Sequence, residues 1–314
     1  MASRLNTIQG EVNPILTKLA VGYSSLQRFI ARKVAPVIES LTESGTIYTF
    51  GKEGFMLYDT ERALRANAKK IDFAVSKDTY RCAEHALESS LDYAELEAAE
   101  KYGAQKVLSL KRRALNLINR ALDIELEKAV ADIVFSATYY ATGNKTTLTG
   151  TDQWSHASSD PIAQLSTAKA AARADMGVVP NTLVLGYDSY EQLCKHASIK
   201  AMFTDMRDKP VLFDAMDLAA ILKFKNVFVG EAVYSTDAGV FTDLWGDYAA
   251  LIYLPEPAEE AEGTTPHTVI IEEAGYPRVK EYPGKKTVDI EDTRKYTVKN
   301  ISTSYGYLIS DTKL

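Results

Sequence analysis

AQKVLSLKRRALNLINRALDIELEKAVADIVFSA, residues 104–137, carries the longest helical pattern in the chain. Apolar side chains recur in it three or four residues apart, which is the spacing of one buried helix face. They are Ala104, Val107, Leu108, Leu115, Ile118, Leu122, Leu126, Ala129 and Ile133. The pattern predicts an amphipathic helix longer than most helices of globular proteins. Upstream, Asp92 is expected to cap the first turn with Glu95 as its partner, and Gly103 marks a kink or a break.

Before this helix, the chain contains few residues typical of a core. Residues 1–45 mix short apolar clusters with basic residues, and Pro36 stops any helix there. Residues 46–75 read TIYTF, a GKEG turn and FMLY, which predicts a long two-armed extended excursion. A compact domain rarely spends so many residues in this way. We therefore expect something outside the subunit to support this stretch.

After the helix, the pattern alternates between helices and strands. An alanine-rich helix is predicted to begin at Pro161 and to end before Gly177. The buried strand NTLVLG, residues 181–186, leads into a helix for which Asp188 is the expected cap. Asp214 is the expected cap of a later helix. From residue 264 onward the chain is rich in alternating strands, and residues 285–314 are expected to form antiparallel hairpins.

Composition limits the class of protein. The chain has 314 residues, 46% of them hydrophobic and 25% charged, which is typical of globular proteins. A net charge of -6 argues against a protein that as a whole neutralises nucleic acid. No signal peptide and no apolar run of about 18 residues is recognisable, so neither export nor a membrane span is expected. With two cysteines and synthesis in a reducing cytoplasm, we expect no structural disulfide.

The motifs that most resemble catalytic or binding sites fail on their spacing. The turn after NTLVLG lacks the G-x-S-x-G of a nucleophile elbow, since Ser189 lies three residues past Gly186 and bulky residues follow it. GTIYTFGK, residues 45–52, has one residue too many for a phosphate loop. The sequence therefore predicts no catalytic residue and no bound cofactor.

A metal site is not expected either. Cys82-x-x-His85 and Cys194-x-His196 do not have the spacing of a zinc finger, and buried thiols with surface histidines explain them more simply. The basic run Lys111-Arg112-Arg113 is interpreted as a solvated helix face or as a surface for salt bridges between subunits.

The order of the parts, and several short motifs in the second half, resemble a known family. The motifs are Trp154, Asp160-Pro161 with the alanine-rich helix, Gly177, residues 180–186, a helix ending near His196 and Ile199, and the stretches NVFVGEAVY and ALIYLPEP. In these features the chain resembles the major capsid proteins of tailed phages, which have the Hong-Kong-97-type fold that encapsulin shells also use.

This resemblance implies an α+β fold with four parts. Residues 1–45 would be an N-terminal arm laid over a neighbouring subunit, and residues 46–85 an extended E-loop hairpin that reaches the next subunit. Residues 86–150 and 264–314 would form a peripheral domain around the long spine helix. Residues 151–263 would form an axial α/β domain.

The function that the resemblance implies is structural. The chain would assemble with itself, as pentamers and hexamers, into an icosahedral phage head that encloses double-stranded DNA without sequence-specific binding. Expected partners are a separate scaffolding protein, a portal and a decoration protein, and no membrane. Two alternatives stay open: an encapsulin-like compartment, and an α/β enzyme that uses Ser189 or His196.

The same resemblance directs attention to apolar residues on the arm and the hairpin as contacts between subunits. The predicted interface residues are Phe29, Ile30, Tyr48, Phe50, Phe55, Met56, Leu57 and Tyr58.

Overall fold

The computed structural model describes residues 11–23, 25, 28–50, 56–62, 67, 70, 75–206, 214–255 and 266–314. The helices in these ranges are α1 (Pro14–Val21), α2 (Ala31–Val34), α3 (Tyr93–Glu100), α4 (Ala104–Val134), α5 (Pro161–Met176), α6 (Tyr187–Lys195), α7 (Ala197–Met206) and α8 (Ala215–Leu222). The strands are β1 (Glu11–Val12), β2 (Val37–Ser40), β3 (Ser44–Phe50), β4 (Val75–Arg81), β5 (Ala83–Asp92), β6 (Lys145–Thr147), β7 (Thr182–Gly186), β8 (Asn226–Gly230), β9 (Val233–Ser235), β10 (Phe241–Asp243), β11 (Ala249–Ile252), β12 (Thr268–Glu273), β13 (Arg278–Pro283), β14 (Thr287–Asn300) and β15 (Gly306–Ser310).

Two large sheets organise the chain. The first sheet runs in the order β1-β13-β14-β12-β2, and β5 also pairs with β14. β14 is its central strand, because its 14 residues pair antiparallel with β5, β12 and β13. The second sheet runs in the order β6-β15-β11-β7-β8, with β7 and β8 parallel and β11 antiparallel to both β7 and β15.

The long helix α4 packs against the first sheet along the predicted stripe. Leu115, Ile118 and Leu122 are buried together with Val279 of β13 and Ile290 of β14. Full burial of one leucine or isoleucine is worth about 1.5–3 kcal/mol, so this contact fixes the helix on the sheet.

The stripe fails at its N-terminal end. Ala104 and Leu108 are exposed, and Val107 is half-buried. The break before α4 is confirmed: Gly103 adopts φ 100, a conformation that favours glycine, between α3 and α4. Asp92 caps α3 as predicted, since its side chain accepts a hydrogen bond from the amide of Ala94 at 2.7 Å.

The expected arm packs on its own chain over its described part. Leu16 and Ala20 of α1 lie against α4, and Asn13 caps α1 while its side-chain amide donates to Glu281 of β13 at 3.0 Å. Helices α1 and α2 have apolar faces that the spine buries within one subunit. That residues 1–45 also lie over a neighbouring subunit stays a prediction.

Sheet membership differs from the expected boundaries in two further places. β15 lies inside the second sheet, between β6 and β11, instead of continuing the hairpins of β12 to β14. β5 belongs to the first sheet along its whole length, so the hairpin expected over residues 46–85 ends before Ala83. The sheet to which β15 and β5 belong depends on pairing with strands that are distant in sequence. The local alternation of polar and apolar residues does not indicate which strands pair.

In the second half, the predicted start of a helix at Pro161, its end before Gly177 and the cap of a later helix at Asp214 are confirmed. Asp160 caps α5 and Gly177 ends it, while Asp214 caps α8 in a capping box with Asp217. The prediction for Asp188 is wrong. Gly186 is the cap residue of α6, and Asp188 in its first turn accepts from Lys313 Nζ at 2.8 Å.

A further core, called the junction core below, joins the two sheets and includes Val134 of α4, Val184 of β7 and Ile270 of β12. One carboxylate lies beside it. Glu127 of α4 is 0% exposed. Its Oε1 accepts from the amide of Ile30 at 2.8 Å and from Trp245 Nε1 at 2.8 Å, and its Oε2 accepts from the amide of Ala31 at 2.9 Å. Burial raises the pKa of Glu127, and the three donors oppose that shift. The side chain thus links the spine to α2 and to the loop before β11.

A second polar link ties the spine to the central strand. Arg294 of β14 donates to Asp123 of α4 at 2.6 Å and to the side-chain oxygen of Asn119 at 3.1 Å. Asp292, 3.4 Å from Arg294 Nε, is fully buried, and this burial raises its pKa. The apolar face of α4 and this polar pair both position the helix on the sheet.

We predict that Glu127→Gln lowers the free energy of unfolding by about 1–3 kcal/mol, because a buried donor loses its acceptor. A glutamine side chain has one oxygen and one NH₂ group in place of two oxygens. At least one of the three donors, the amide of Ile30, the amide of Ala31 or Trp245 Nε1, would then face the NH₂ group and lack an acceptor. Urea unfolding followed by tryptophan fluorescence measures the change. Glu125→Gln, on the same helix but exposed, is the matched control and is expected to stay within about 0.5 kcal/mol. Equal stability of Glu127→Gln and the unmodified chain would contradict this role.

We predict that Gly186→Ala prevents folding or costs more than about 4 kcal/mol. A Cβ atom at Gly186 would lie 1.8 Å from the backbone oxygen of Gly246 and 2.7 Å from that of Trp245. Backbone atoms cannot move aside as a flexible side chain does. Gly143→Ala is the control, since a Cβ atom there meets nothing within 4 Å. Soluble yield and thermal unfolding of both variants check the prediction, and similar values for the two would overturn it.

Candidate assembly surface

The hairpin of β3 and β4 stands apart from both large sheets. Its strands have seven residues each and pair only with each other, from Ser44 opposite Arg81 to Phe50 opposite Val75. β-branched and aromatic residues such as Ile47 and Tyr48 favour this extended conformation. The structure therefore presents the predicted two-armed excursion as an isolated two-stranded ribbon.

The base of the ribbon is anchored to the first sheet. Ile47 and Tyr80 pack against a small core of Cys82, Val269 and Ile271. The hydroxyl groups of Ser40 and Tyr80 lie 2.7 Å apart in a hydrogen bond. These contacts fix the direction in which the hairpin leaves the body.

Charged pairs reinforce the same base. Lys299 Nζ lies 2.7 Å from Asp78 Oδ2, and this hydrogen bond lowers the pKa of the Asp78 carboxyl. Arg81 Nε lies 2.9 Å from Glu43 Oε1. Three of these four side chains are exposed and Lys299 is half-buried, so each pair contributes little to stability and mainly orients the ribbon.

Beyond its base, the hairpin exposes apolar side chains. Leu57 is fully exposed and Met56 is 58% exposed. Tyr48, on β3, is 52% exposed and lies near Lys77 of the opposite strand. Adjacent apolar groups that a chain leaves in water are typical of a surface that binds another protein.

The eight predicted interface residues fall into three groups. Tyr48, Met56 and Leu57 are exposed, and Tyr58 is half-buried. On the arm, Phe29 is half-buried against the junction core. Ile30 is 5% exposed and is part of that core, so its side chain is buried within its own chain. Phe55 and the side chain of Phe50 lie outside the described residues.

The structure adds exposed apolar residues that the sequence did not indicate as a surface. Val37 and Ile38 lie on the edge strand β2, and Leu41 follows them at 91% exposure. Val240 and Phe241 lie at the turn between β9 and β10, at 60% and 73% exposure. Alternating apolar residues beside a turn could have indicated these strands in the sequence. Such alternation does not show whether the edge of a sheet is free or paired.

The residues named for an enzyme have structural roles. Ser189 is 0% exposed and its hydroxyl shares a hydrogen bond of 2.6 Å with that of Thr312. His196 is buried, with Nδ1 bonded to Ser198 Oγ at 2.7 Å and Nε2 3.2 Å from Ser159 Oγ. A buried hydroxyl of this kind is not accessible to a substrate.

Neither cysteine lies in a metal cluster. Cys82 is buried and Cys194 is half-buried, both thiols are free, and burial raises the pKa of each. Within the described ranges, no group of three or more His, Cys, Asp or Glu side chains is arranged to hold a metal ion.

None of the helices in the described part of the chain is both long and apolar enough to cross a membrane.

Comparison with known proteins gives concordant matches. The family model for phage major capsid protein E matches residues 99–278. The chain is 33% identical to the major capsid protein of Burkholderia phage BcepMu, over 95% of this chain and 96% of that one. It is 26% identical to the major capsid protein of Pseudomonas phage JBD67, over 81% of each chain.

Solved structures match over nearly the whole chain. A phage-related protein from Bordetella bronchiseptica RB50 is 26% identical with a TM-score of 0.76, covering 97% of this chain and 98% of that one. The capsid of cyanophage P-SCSP1u, 8% identical over 92% of this chain and 89% of that one, shares the fold with a TM-score of 0.55.

These matches confirm the resemblance drawn from the sequence and the α+β fold of the Hong-Kong-97 type, and they favour neither an encapsulin-like compartment nor an α/β enzyme. The chain therefore belongs to the phage major capsid protein E family, the structural proteins of the virion head.

Proposed function

We propose that the β3–β4 hairpin is the element by which one subunit of the head holds the next. The observation that carries this proposal is the contrast between its anchored base and its exposed Met56 and Leu57. Because the base of the hairpin is already fixed, the hairpin loses little conformational freedom when its apolar side chains bind a neighbouring subunit.

The energetics of such a contact favour assembly over dimers. Full burial of one side chain such as Leu57 contributes about 1.5–3 kcal/mol, and association itself costs at least about 4 kcal/mol in lost motion. A single hairpin contact is therefore weak. In a closed shell each subunit gives one hairpin and receives another, and the contacts become strong together.

The other parts take roles in the same scheme. The first sheet with α4 would form the peripheral domain, and the second sheet with its helices the axial domain around five-fold and six-fold positions. Exposed Val240 and Phe241 on the β9–β10 turn supply an apolar contact for the axial positions. The edge strand β2, with exposed Val37 and Ile38, supplies another.

The head would enclose double-stranded DNA without gripping it. A net charge of -6 weakens non-specific binding to phosphate. A separate scaffolding protein, a portal and a decoration protein remain the proposed partners, on the family resemblance.

We predict that shortening the hairpin abolishes particles without unfolding the subunit. Because Phe50 pairs with Val75, residues 51–74 can be replaced by Asn-Gly, which favours a two-residue turn between paired strands. Electron microscopy and sedimentation measure particle formation, and thermal unfolding measures the subunit. The expected result is a folded chain that does not assemble.

Point variants separate the apolar contact from the length of the loop. Leu57→Asp is expected to lower the yield of particles about tenfold or more, because a charge cannot be buried in an apolar contact. Leu314→Asp, also at an exposed leucine (90%), is the control and is expected to assemble normally. Normal particles from Leu57→Asp and from the shortened hairpin would refute the proposal.

A further inference from the structure

The N-terminal half of α4 carries a strip of cations and leucines that the described elements leave exposed or half-buried. Lys106, Arg113 and Arg120 follow one another at intervals of seven residues, and Leu110 and Leu117 alternate with them. Seven residues are close to two helical turns, so side chains at this interval lie almost in line, about 10 Å apart. These five residues are called the basic strip below.

The chain's own core does not use the basic strip. Leu115, Ile118 and Leu122, on the opposite face of the helix, are buried by α1 and the first sheet. Further along α4, the arm covers the helix through the amides bonded to Glu127. Between these contacts Lys106 and Arg113 are exposed, Leu117 is 60% exposed, and Leu110 and Arg120 are half-buried.

The charge of this region is opposite to that of the whole chain. Residues 101–122 contain six lysines and arginines and no acidic residue, in a chain of net charge -6. Lys111 is neutralised by Glu281 at 2.9 Å. No ion pair joins Lys106, Arg113 or Arg120 to any residue in the described ranges, so the cations of the strip are unmatched there.

The arrangement has the form of one half of a helix pair. In a coiled coil, two positions of each seven-residue repeat face the partner. Here leucine occupies one of them and a lysine or arginine occupies the other. Two copies of α4 placed face to face would bring like charges together, which opposes pairing of this helix with itself.

We propose that the basic strip docks an amphipathic helix of another protein, one that carries acidic residues at the same seven-residue interval and apolar residues between them. Its carboxylates would pair with Lys106, Arg113 and Arg120, and its apolar side chains would cover Leu110 and Leu117. Charge complementarity selects this occupant, since an acidic helix satisfies both components of the strip.

Duplex DNA matches only one of those components. Phosphates engage cations, but they gain nothing from an exposed leucine in the middle of the contact. Leu117 therefore distinguishes a protein helix from a nucleic acid.

The test uses the full chain and a labelled synthetic peptide of three heptads with Leu and Glu at its two facing positions. Fluorescence anisotropy measures binding, and sedimentation identifies the species titrated. The triple variant Lys106→Glu, Arg113→Glu, Arg120→Glu is expected to weaken peptide binding about tenfold or more, and Leu117→Ser about threefold or more at unchanged charge. A matched triple variant, Lys101→Glu, Arg112→Glu, Lys285→Glu, changes the net charge equally at exposed sites off the strip and is expected to stay within about twofold.

A duplex DNA of about 20 base pairs is titrated in parallel, and its binding is expected to be indifferent to Leu117→Ser. Circular dichroism verifies that each variant keeps its helix content. The proposal is overturned if the peptide does not bind the unmodified chain or if Leu117→Ser leaves peptide binding unchanged. It also fails if both triple variants lose the same affinity, since binding would then follow net charge alone.

Discussion

One buried carboxylate, that of Glu127, joins the parts of this subunit. It lies on the spine helix and accepts two backbone amides from the arm and the indole N–H of Trp245 from the second sheet's connections. A fully buried carboxylate is costly unless its hydrogen bonds are satisfied, so the three donors have to be present together. The segment around α2, the helix α4 and the loop before β11 are thereby held in one arrangement, and the surrounding apolar core packs around them.

This fixed arrangement explains which apolar side chains of the subunit stay exposed to solvent. With α1 and α2 packed on α4, the arm residues Leu16, Ala20 and Ile30 are buried within their own chain. The hairpin packs on the rest of the chain only through its base in the described residues, and Met56 and Leu57 remain exposed to solvent. An apolar hairpin that is anchored at its base fits a protein that makes the same kind of contact repeatedly in a symmetric assembly.

Sequence patterns predicted the local features well. The helix break at Gly103, the start of α5 at Pro161 and the caps at Asp92 and Asp214 depend on residues close in sequence, and each of them is confirmed. At Asp188 the same rule failed, because Lys313, far along the chain, takes its carboxylate. Sheet membership of β15 and burial of Ile30 likewise depend on distant partners, which periodicity does not contain.

The candidate surface was only partly predictable for the same reason. Apolar content identified Tyr48, Met56 and Leu57, which are exposed in the structure. Leu108 and Leu115 belong to one helical pattern, yet only Leu115 lies over the sheet. Whether an apolar residue is core or contact depends on where the strands end, and the pattern of one helix does not record that.

A cryo-electron microscopy map of the assembled particle would show whether the hairpin contacts a neighbouring subunit while the arm stays on its own chain. We expect Met56 and Leu57 to contact atoms of a second subunit, and Ile30 and Ala31 to remain hydrogen-bonded to Glu127 of their own chain. A map in which the hairpin folds back onto its own body, or in which the arm leaves Glu127 for a neighbour, would contradict this expectation.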